Sequence, residues 1–288
     1  MNFELGGVNV EAGFPLDVTL LCVGLLAAYF GLIRRHGALM EPRPGVRPVS
    51  TRQVVSFTTG VLLFWVVDGW PVVALATHLF SVHMSQHLVQ AFVIPPLILL
   101  GIPSWMGDVL LRNPTVRRVV QRMSGPVFAG LAFNIVLLAV HSPQAIDLQL
   151  RNDLFHAFDH LLVIGAGLFM WMNIYSPVES VVPRLRPLVQ MFYLFLMTLL
   201  PTIPSAFLIF GEVPLYPAYV DAIRPWGVTV ADDMQVAGLI MKLGGGFYLW
   251  IIIAVKYFKW AGQEEREQRD RRRARHNPTP TPTPASTP

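Results

Sequence analysis

The sequence predicts an all-α membrane protein: a bundle of seven transmembrane helices with its N-terminus outside and its C-terminus in the cytoplasm. Three observations carry this. The apolar residues fall in long blocks, 53% of the chain being hydrophobic with a mean hydropathy of +0.49. Charged residues are only 14% of the chain, against about 25% in soluble domains. Lysine and arginine alternate between rich and poor connecting segments.

Crossing ~30 Å of hydrocarbon at 1.5 Å per residue takes roughly 20 residues. Seven segments meet or approach that length: Pro15–Ile33, Val54–Ala76, Phe80–Leu100, Pro126–His141, Leu154–Tyr175, Pro187–Phe210 and Met234–Trp260. No Lys or Arg precedes Arg34, so the first block reads as a retained helix, not a cleaved signal with a positive n-region. The second contains Asp68, Gly69 and Pro71 and is expected to bend or leave the membrane early. The fourth is short. Pro95 and Pro96 in the third and Pro201 and Pro204 in the sixth each remove a backbone donor, so those helices should kink where neighbours can satisfy the freed carbonyls.

Five Lys/Arg follow the first block (Arg34 to Arg52), four follow the third (Arg112 to Arg122), two follow the fifth (Arg184, Arg186) and eight end the chain (Lys256 to Arg275). The intervening segments hold two, Arg151 and Arg224, giving nineteen against two. Basic loops stay in the cytoplasm, which fixes the orientation and requires an odd number of spans. Residues 1–262 form the bundle on this reading. Residues 263–288 are a tail, first mixed in charge and then a Thr-Pro repeat that cannot bury a core. A lone cysteine, Cys22, excludes an internal disulfide. No loop is long enough for a soluble catalytic domain, and nothing points to nucleic acid. Gly244–Gly246 sits inside the seventh span, where close helix packing explains it better than phosphate binding.

Chemistry concentrates in one layer. His78, His83 and His87 lie in the outer half of the third span, His141 ends the fourth, and His156 and His160 open the fifth. His83 and His87 are four residues apart, as are His156 and His160, so each pair faces one direction. Gln86 and Gln90 border the first pair; Asn152 and Asp159 border the second. Such polar stripes belong in a bundle interior, so the two helices should be neighbours with their stripes facing. Up to four imidazoles result, a set suited to copper, zinc, iron or haem. Asp159 is placed to orient an imidazole. Asp68, Asp147, Asp153, Asp232 and Asp233 fall near the outer surface and could attract a cation, and Met84 and Met234 are soft ligands for Cu(I). Lys242 stands mid-span, where it must pair with an interior acid or reach for the headgroups.

The run HMSQHLVQAFVIPPLILLGIP, His83 to Pro103, resembles the polytopic CtaG family of cytochrome c oxidase assembly factors, which carries an H-M-x-Q-H start, a P-P pair and a G-x-P ending. The likeness continues through HAFDHLLVIGAGLFMWMNIYSP from His156 and DDMQVAGLIMKLGGGFYLW from Asp232. Matching positions are His83, Gln86, His87, Pro95, Pro96, His156, His160, Asp233, Gly238 and Met241. The resemblance implies a non-enzymatic, multi-pass protein of a bacterial cell membrane. It would contact lipid and cytochrome c oxidase subunits and help mature the oxidase of a respiratory chain, in the manner of a copper chaperone. The expected ligands are His83, His87, His156 and His160, with His78, His141 and Met84 near them, and Asp159, Gln86 and Asp233 in support. Two other readings stand beside it. One is a b-type, bis-histidine haem protein, for which the spacing allows one haem layer. The other is a copper or proton-coupled transporter, for which the inner half is poor in polar groups.

Overall fold

The computed structural model describes residues 2–11, 15–36, 48–211 and 213–276. Arg43, Arg47 and the Thr-Pro repeat lie outside the described residues. Within the apolar blocks the chain is mostly helical, with breaks at 68–71 and 200–201. Outside them, β1 (Asn2–Leu5) and β2 (Val8–Glu11) pair as an antiparallel hairpin. Gly6 and Gly7 supply its two positive-φ turn residues, and the Gly6 carbonyl accepts the Trp226 N–H at 2.8 Å.

Helix α1 (Leu16–His36) is peripheral. It attaches through Tyr29, which stacks on Phe57 at 4.0 Å and donates to the Gly101 carbonyl at 2.9 Å. Helix α2 (Thr51–Val67) opens with a Ser50–Gln53 capping box and stops with Asp68 as its C-cap, so the second apolar block breaks after Val67. After α3 (Val72–Ala76), the chain turns into α4 (Phe80–Leu88). This continues through a π turn, Val89–Val93, into α5 (Ile94–Gly101). The π turn is how the helix accommodates Pro95 and Pro96. Pro95 cannot donate to Ala91, and the freed Ala91 carbonyl accepts the Trp171 indole N–H at 3.0 Å instead.

On the next stretch α6 (Ser104–Leu110) and α7 (Pro114–Met123) precede α8 (Pro126–Val140). Helix α7 meets α8 at 74°, because Val116, Val119, Val120 and Met123 face one side and Arg117, Arg118 and Arg122 the other. Then come α9 (Pro143–Arg151), α10 (Asp153–Tyr175), α11 (Pro187–Leu199) and α12 (Thr202–Phe210). The break at Leu200 and Pro201 is the expected proline effect. Helix α13 (Val230–Leu239) passes through a second π turn, Ile240–Gly244, into α14 (Gly245–His276).

Among the described residues, five helices are long and apolar enough to cross a membrane: Leu16–His36, Phe80–Gly101, Asp153–Tyr175, Pro187–Phe210 and Val230–Arg273. The bent pair of α7 and α8 makes six if counted as one span. The second expected span is a 17-residue apolar helix, shorter than those five. The chain is thus a multi-pass membrane protein. Its last helix runs past residue 262 without a break to His276.

In lipid, helices associate by close packing and hydrogen bonds, not by excluding water. The tightest seam joins α2 to α5. A Cβ on Gly101 would lie 2.5 Å from Phe57 Cβ and 2.6 Å from its backbone N, and Ser56 donates to the Leu97 carbonyl at 2.7 Å. Gly238 does the same for α13 on α12, where a Cβ would fall 2.9 Å from Leu208 Cβ and 3.0 Å from the Ser205 carbonyl. Gly101→Val should therefore destabilise the bundle by about 1–3 kcal/mol through overpacking. Gly246→Ala, where nothing lies within 4 Å, should be near neutral. Thermal unfolding of the two variants in detergent checks the contrast; equal midpoints would mean that the α2–α5 seam is not a tight contact.

Candidate metal centre

Both histidine pairs stand in the first two turns of helices whose starts are pinned. The backbone N–H groups of Phe80 and Ser81, which α4 cannot satisfy internally, donate to the Asp233 carboxylate at 2.8 and 3.0 Å. Arg224 completes that clamp at 3.1 Å from Asp233. The α10 start is capped by Asn152, whose side-chain oxygen accepts the Phe155 N–H at 3.0 Å. With both starts fixed, the i,i+4 spacing does the rest.

The stripes of α4 and α10 face each other, as the polar spacing predicts. One ring nitrogen each from His83, His87 and His160 lies within 4.8 Å of the other two, and all three side chains are buried. The half-buried His156 joins them, its Nε2 3.0 Å from Nε2 of His160. Ring centroids are 4.4 Å apart for His83 and His87, 5.8 Å for His83 and His160, and 5.1 Å for His87 and His160. Buried ring nitrogens normally find a hydrogen-bond partner. Here Nε2 of His83 and both ring nitrogens of His87 have none. A cluster of imidazole lone pairs without donors is a nitrogen-ligand cage in waiting. Two ligands on a tetrahedral ion sit about 3.3 Å apart, so the observed spacing lets an ion draw the rings in by small side-chain rotations.

The residue that orients His160 is Asp68, the C-cap of α2. Its Oδ1 takes a short hydrogen bond from His160 Nδ1, which leaves Nε2 of a neutral His160 as the lone pair aimed at the cluster. Gln90 donates to both Asp68 oxygens at 2.9 Å, and Gln86 donates to the Val67 carbonyl at 2.7 Å. The glutamines of the α4 stripe therefore hold the end of α2 against the histidines. Asp159, expected to orient an imidazole, has its Oδ2 3.7 Å from His87 Nε2, beyond hydrogen-bond distance. It faces the cluster as a buried carboxyl without a donor on that oxygen.

The remaining expected ligands sit at the margins. His141 stands edge-on to His87 at 5.1 Å, and its Nδ1 donates to the Leu137 carbonyl at 2.6 Å. Met84 is buried one residue round the helix, packing in an outer apolar cluster with Phe80, Tyr216 and Tyr219. His78 lies before the start of α4, and its carbonyl accepts from Arg224 at 3.2 Å. Asp233 is the α4 clamp, away from the imidazole cluster. A narrow cavity of about 50 Å³, lined by Met84, His87, His141, Leu137 and Met241 among others, reaches the cluster from the side. Nearby, Tyr216 donates to the His141 carbonyl and Tyr219 to that of Ala76, both at 2.8 Å. Burial pushes both phenols above their ordinary range, keeping them protonated as donors.

Asp68 is the partner that sequence reasoning missed. It stood among five outer acids with nothing to single it out, although an acid directly after a 17-residue apolar helix is itself a signal.

The fold and the cluster define a multi-pass membrane protein with a buried, oriented imidazole site. The chain belongs to the cytochrome c oxidase caa3 assembly factor family (Caa3_CtaG), whose model matches residues 27–263. It is also similar to the uncharacterized proteins Mb0105 of Mycobacterium bovis and MT0111 of Mycobacterium tuberculosis. Each is 25% identical over 274 residues, covering 86% of this chain and 38% of theirs. The chain thus spans well under half the length of those relatives. No solved structure matches it.

Outer-shell partners of metal-bound histidines are worth about 10- to 100-fold in affinity. Asp68→Asn, which keeps the shape but removes the acceptor charge at His160, should weaken metal binding by about that factor. A chelator-competition titration of the purified variant measures it. Unchanged affinity would mean that Asp68 caps α2 and does no more.

Proposed function

We propose that this protein assists assembly of a haem–copper cytochrome c oxidase by holding a metal ion, copper, among His83, His87, His160 and His156. The observation that carries this is the set of buried, donor-less imidazole nitrogens on two pinned helices, beside a third ring oriented by Asp68. Imidazole suits copper well, and Met84 and Met241 on the side cavity offer soft sulfur nearby. The flanking carboxyl groups of Asp68 and Asp159 would compensate part of a cation's charge. Family membership supplies the assembly role and supports oxidase subunits as partners; the ion is cargo, so no catalysis is required. A haem fits less well, since neighbouring rings approach within 4.3–5.8 Å and leave no slot for a macrocycle.

The topology belongs to the same proposal. Helix α2 and the short α8 complete seven spans, with the N-terminus outside and the charged end of α14 and the Thr-Pro tail in the cytoplasm. The nineteen-to-two asymmetry of Lys and Arg supports it. The histidine cluster then lies in the outer half of a bacterial cell membrane.

Replacing His83 and His87 together by Ala should drop bound copper from about one ion per chain to near zero while the protein still inserts, because imidazole supplies ligand lone pairs and the apolar residues supply insertion. Membranes carrying the variant should hold oxidase subunits with little oxidase activity. Elemental analysis of purified protein and oxidase assay of membranes read the two effects. Lost activity with unchanged metal would make the cluster a scaffold, and full activity would remove the site from the function. A reporter fused after Trp260 should signal cytoplasm; a periplasmic signal there would overturn the orientation.

A further inference from the structure

Lys242 answers neither sequence expectation. Among the described residues no acid pairs with it, and it lies well inside the apolar stretch of its helix. It lies in the π turn Ile240–Gly244, with the nearest charged residues of the same helix nine residues outward at Asp233 and fourteen inward at Lys256. At 1.5 Å per residue those distances are about 13 and 21 Å, far beyond a four-carbon stem. Yet the side chain is exposed on the lipid-facing surface, its Nζ donating to Thr202 Oγ1 at 2.6 Å. Thr202 in turn donates to the Thr198 carbonyl at 3.0 Å, beside the break between α11 and α12. The surface around it is shaped for close approach. Gly246 has nothing within 4 Å of where a Cβ would be, and Leu243 and Phe247 flank it at 47% and 64% exposure.

We infer that this face, Lys242 with Thr202 and the Gly246 notch, receives a transmembrane helix of another membrane protein that carries an aspartate or glutamate at mid-depth. A lysine in the hydrocarbon region is costly unless it meets an acid, and a small residue beside it lets a partner backbone approach. Lipid headgroups carry their charge at the interface, not at this depth. A second copy of the chain does not supply the acid. Among the described residues, Asp17, Asp153 and Asp232 stand in the first turns of α1, α10 and α13, at helix ends and not at mid-depth, and the acids of α14 follow its apolar part, while Asp68, Asp159 and Asp233 are buried. Asp68 is held by His160 and Gln90, and Asp233 by Phe80, Ser81 and Arg224. The partner is therefore a different chain. The inference goes beyond metal holding and stands on the geometry of the last span, not on the histidines.

The test uses the full chain in its native membrane with p-benzoylphenylalanine in place of Leu243. Light should give an adduct with a membrane protein whose cross-linked helix contains a mid-span Asp or Glu. Lys242→Met should cut the adduct about tenfold, the loss expected for one charged interhelical contact, while Lys242→Arg retains it. Lys242→Glu should lose the adduct, and changing the partner's acid to lysine should restore it. Copper content should stay constant across these variants, so a failure of the histidine reading shows separately. If Lys242→Met does not accumulate, Lys242→Gln, which keeps a donor for Thr202, takes its place. An adduct insensitive to Lys242, one formed only with lipid or a second copy, one on a helix without an acid, or none at all would overturn the inference.

Discussion

A carboxylate buried inside a membrane bundle is untenable without donors, and Asp233 has three. Two are the first free N–H groups of α4 and the third is Arg224. This contact joins the last span to the helix that carries His83 and His87, and it fixes the depth and rotation at which that helix begins. Everything in the cluster follows from that registration. If α4 were displaced by one residue, its two imidazoles would turn about 100° away from His160. Asp233 is thus a positioning residue whose contact lies about one turn from His83 and two from His87, and its presence in the family-like motif makes physical sense without any direct role in ligation.

The histidine layer was legible because i,i+4 spacing is geometry, and because polar stripes in apolar helices have one comfortable place to face. The proline breaks were legible for the same reason: a missing N–H is a property of the residue, and Ala91 and the Leu200–Pro201 break show where its effect lands. Other features were not readable. The role of Asp68 depends on α2 ending where it does and on Gln90 reaching across from another helix. Asp159 has the right spacing but meets His87 at 3.7 Å, so side-chain direction, not register, defeated that expectation. His78 precedes the helix start, and Met84 falls one residue off the stripe into apolar packing. The helix lengths were less legible, because hydropathy does not show where an apolar block leaves helical geometry, and α8 and α2 end after 15 and 17 residues.

The site also illustrates how orphaned groups differ in meaning. Asp68 and Asp233 are saturated with partners and act as structural anchors. Nε2 of His83 and both ring nitrogens of His87 are buried without partners, an arrangement that a bundle built only for stability would exchange for apolar side chains. Holding such groups open requires rigid supports, and these come from the capped and clamped ends of α2, α4 and α10.

The π turn at Val89–Val93 has one more consequence. There the N–H of Ile94 reaches back to the Val89 carbonyl, five residues away, so the helix carries one residue more than an α-helix of the same path would need. The outer and inner halves of this span are accordingly out of phase. The loss of a single codon within Val89–Val93 would relax the ladder to ordinary α-helical register and leave the apolar length of the span almost untouched. By hydropathy the product would be the same protein. In three dimensions either the histidines or Pro95 and Pro96 would face the wrong neighbours, making this stretch intolerant of length change while forgiving of apolar substitution.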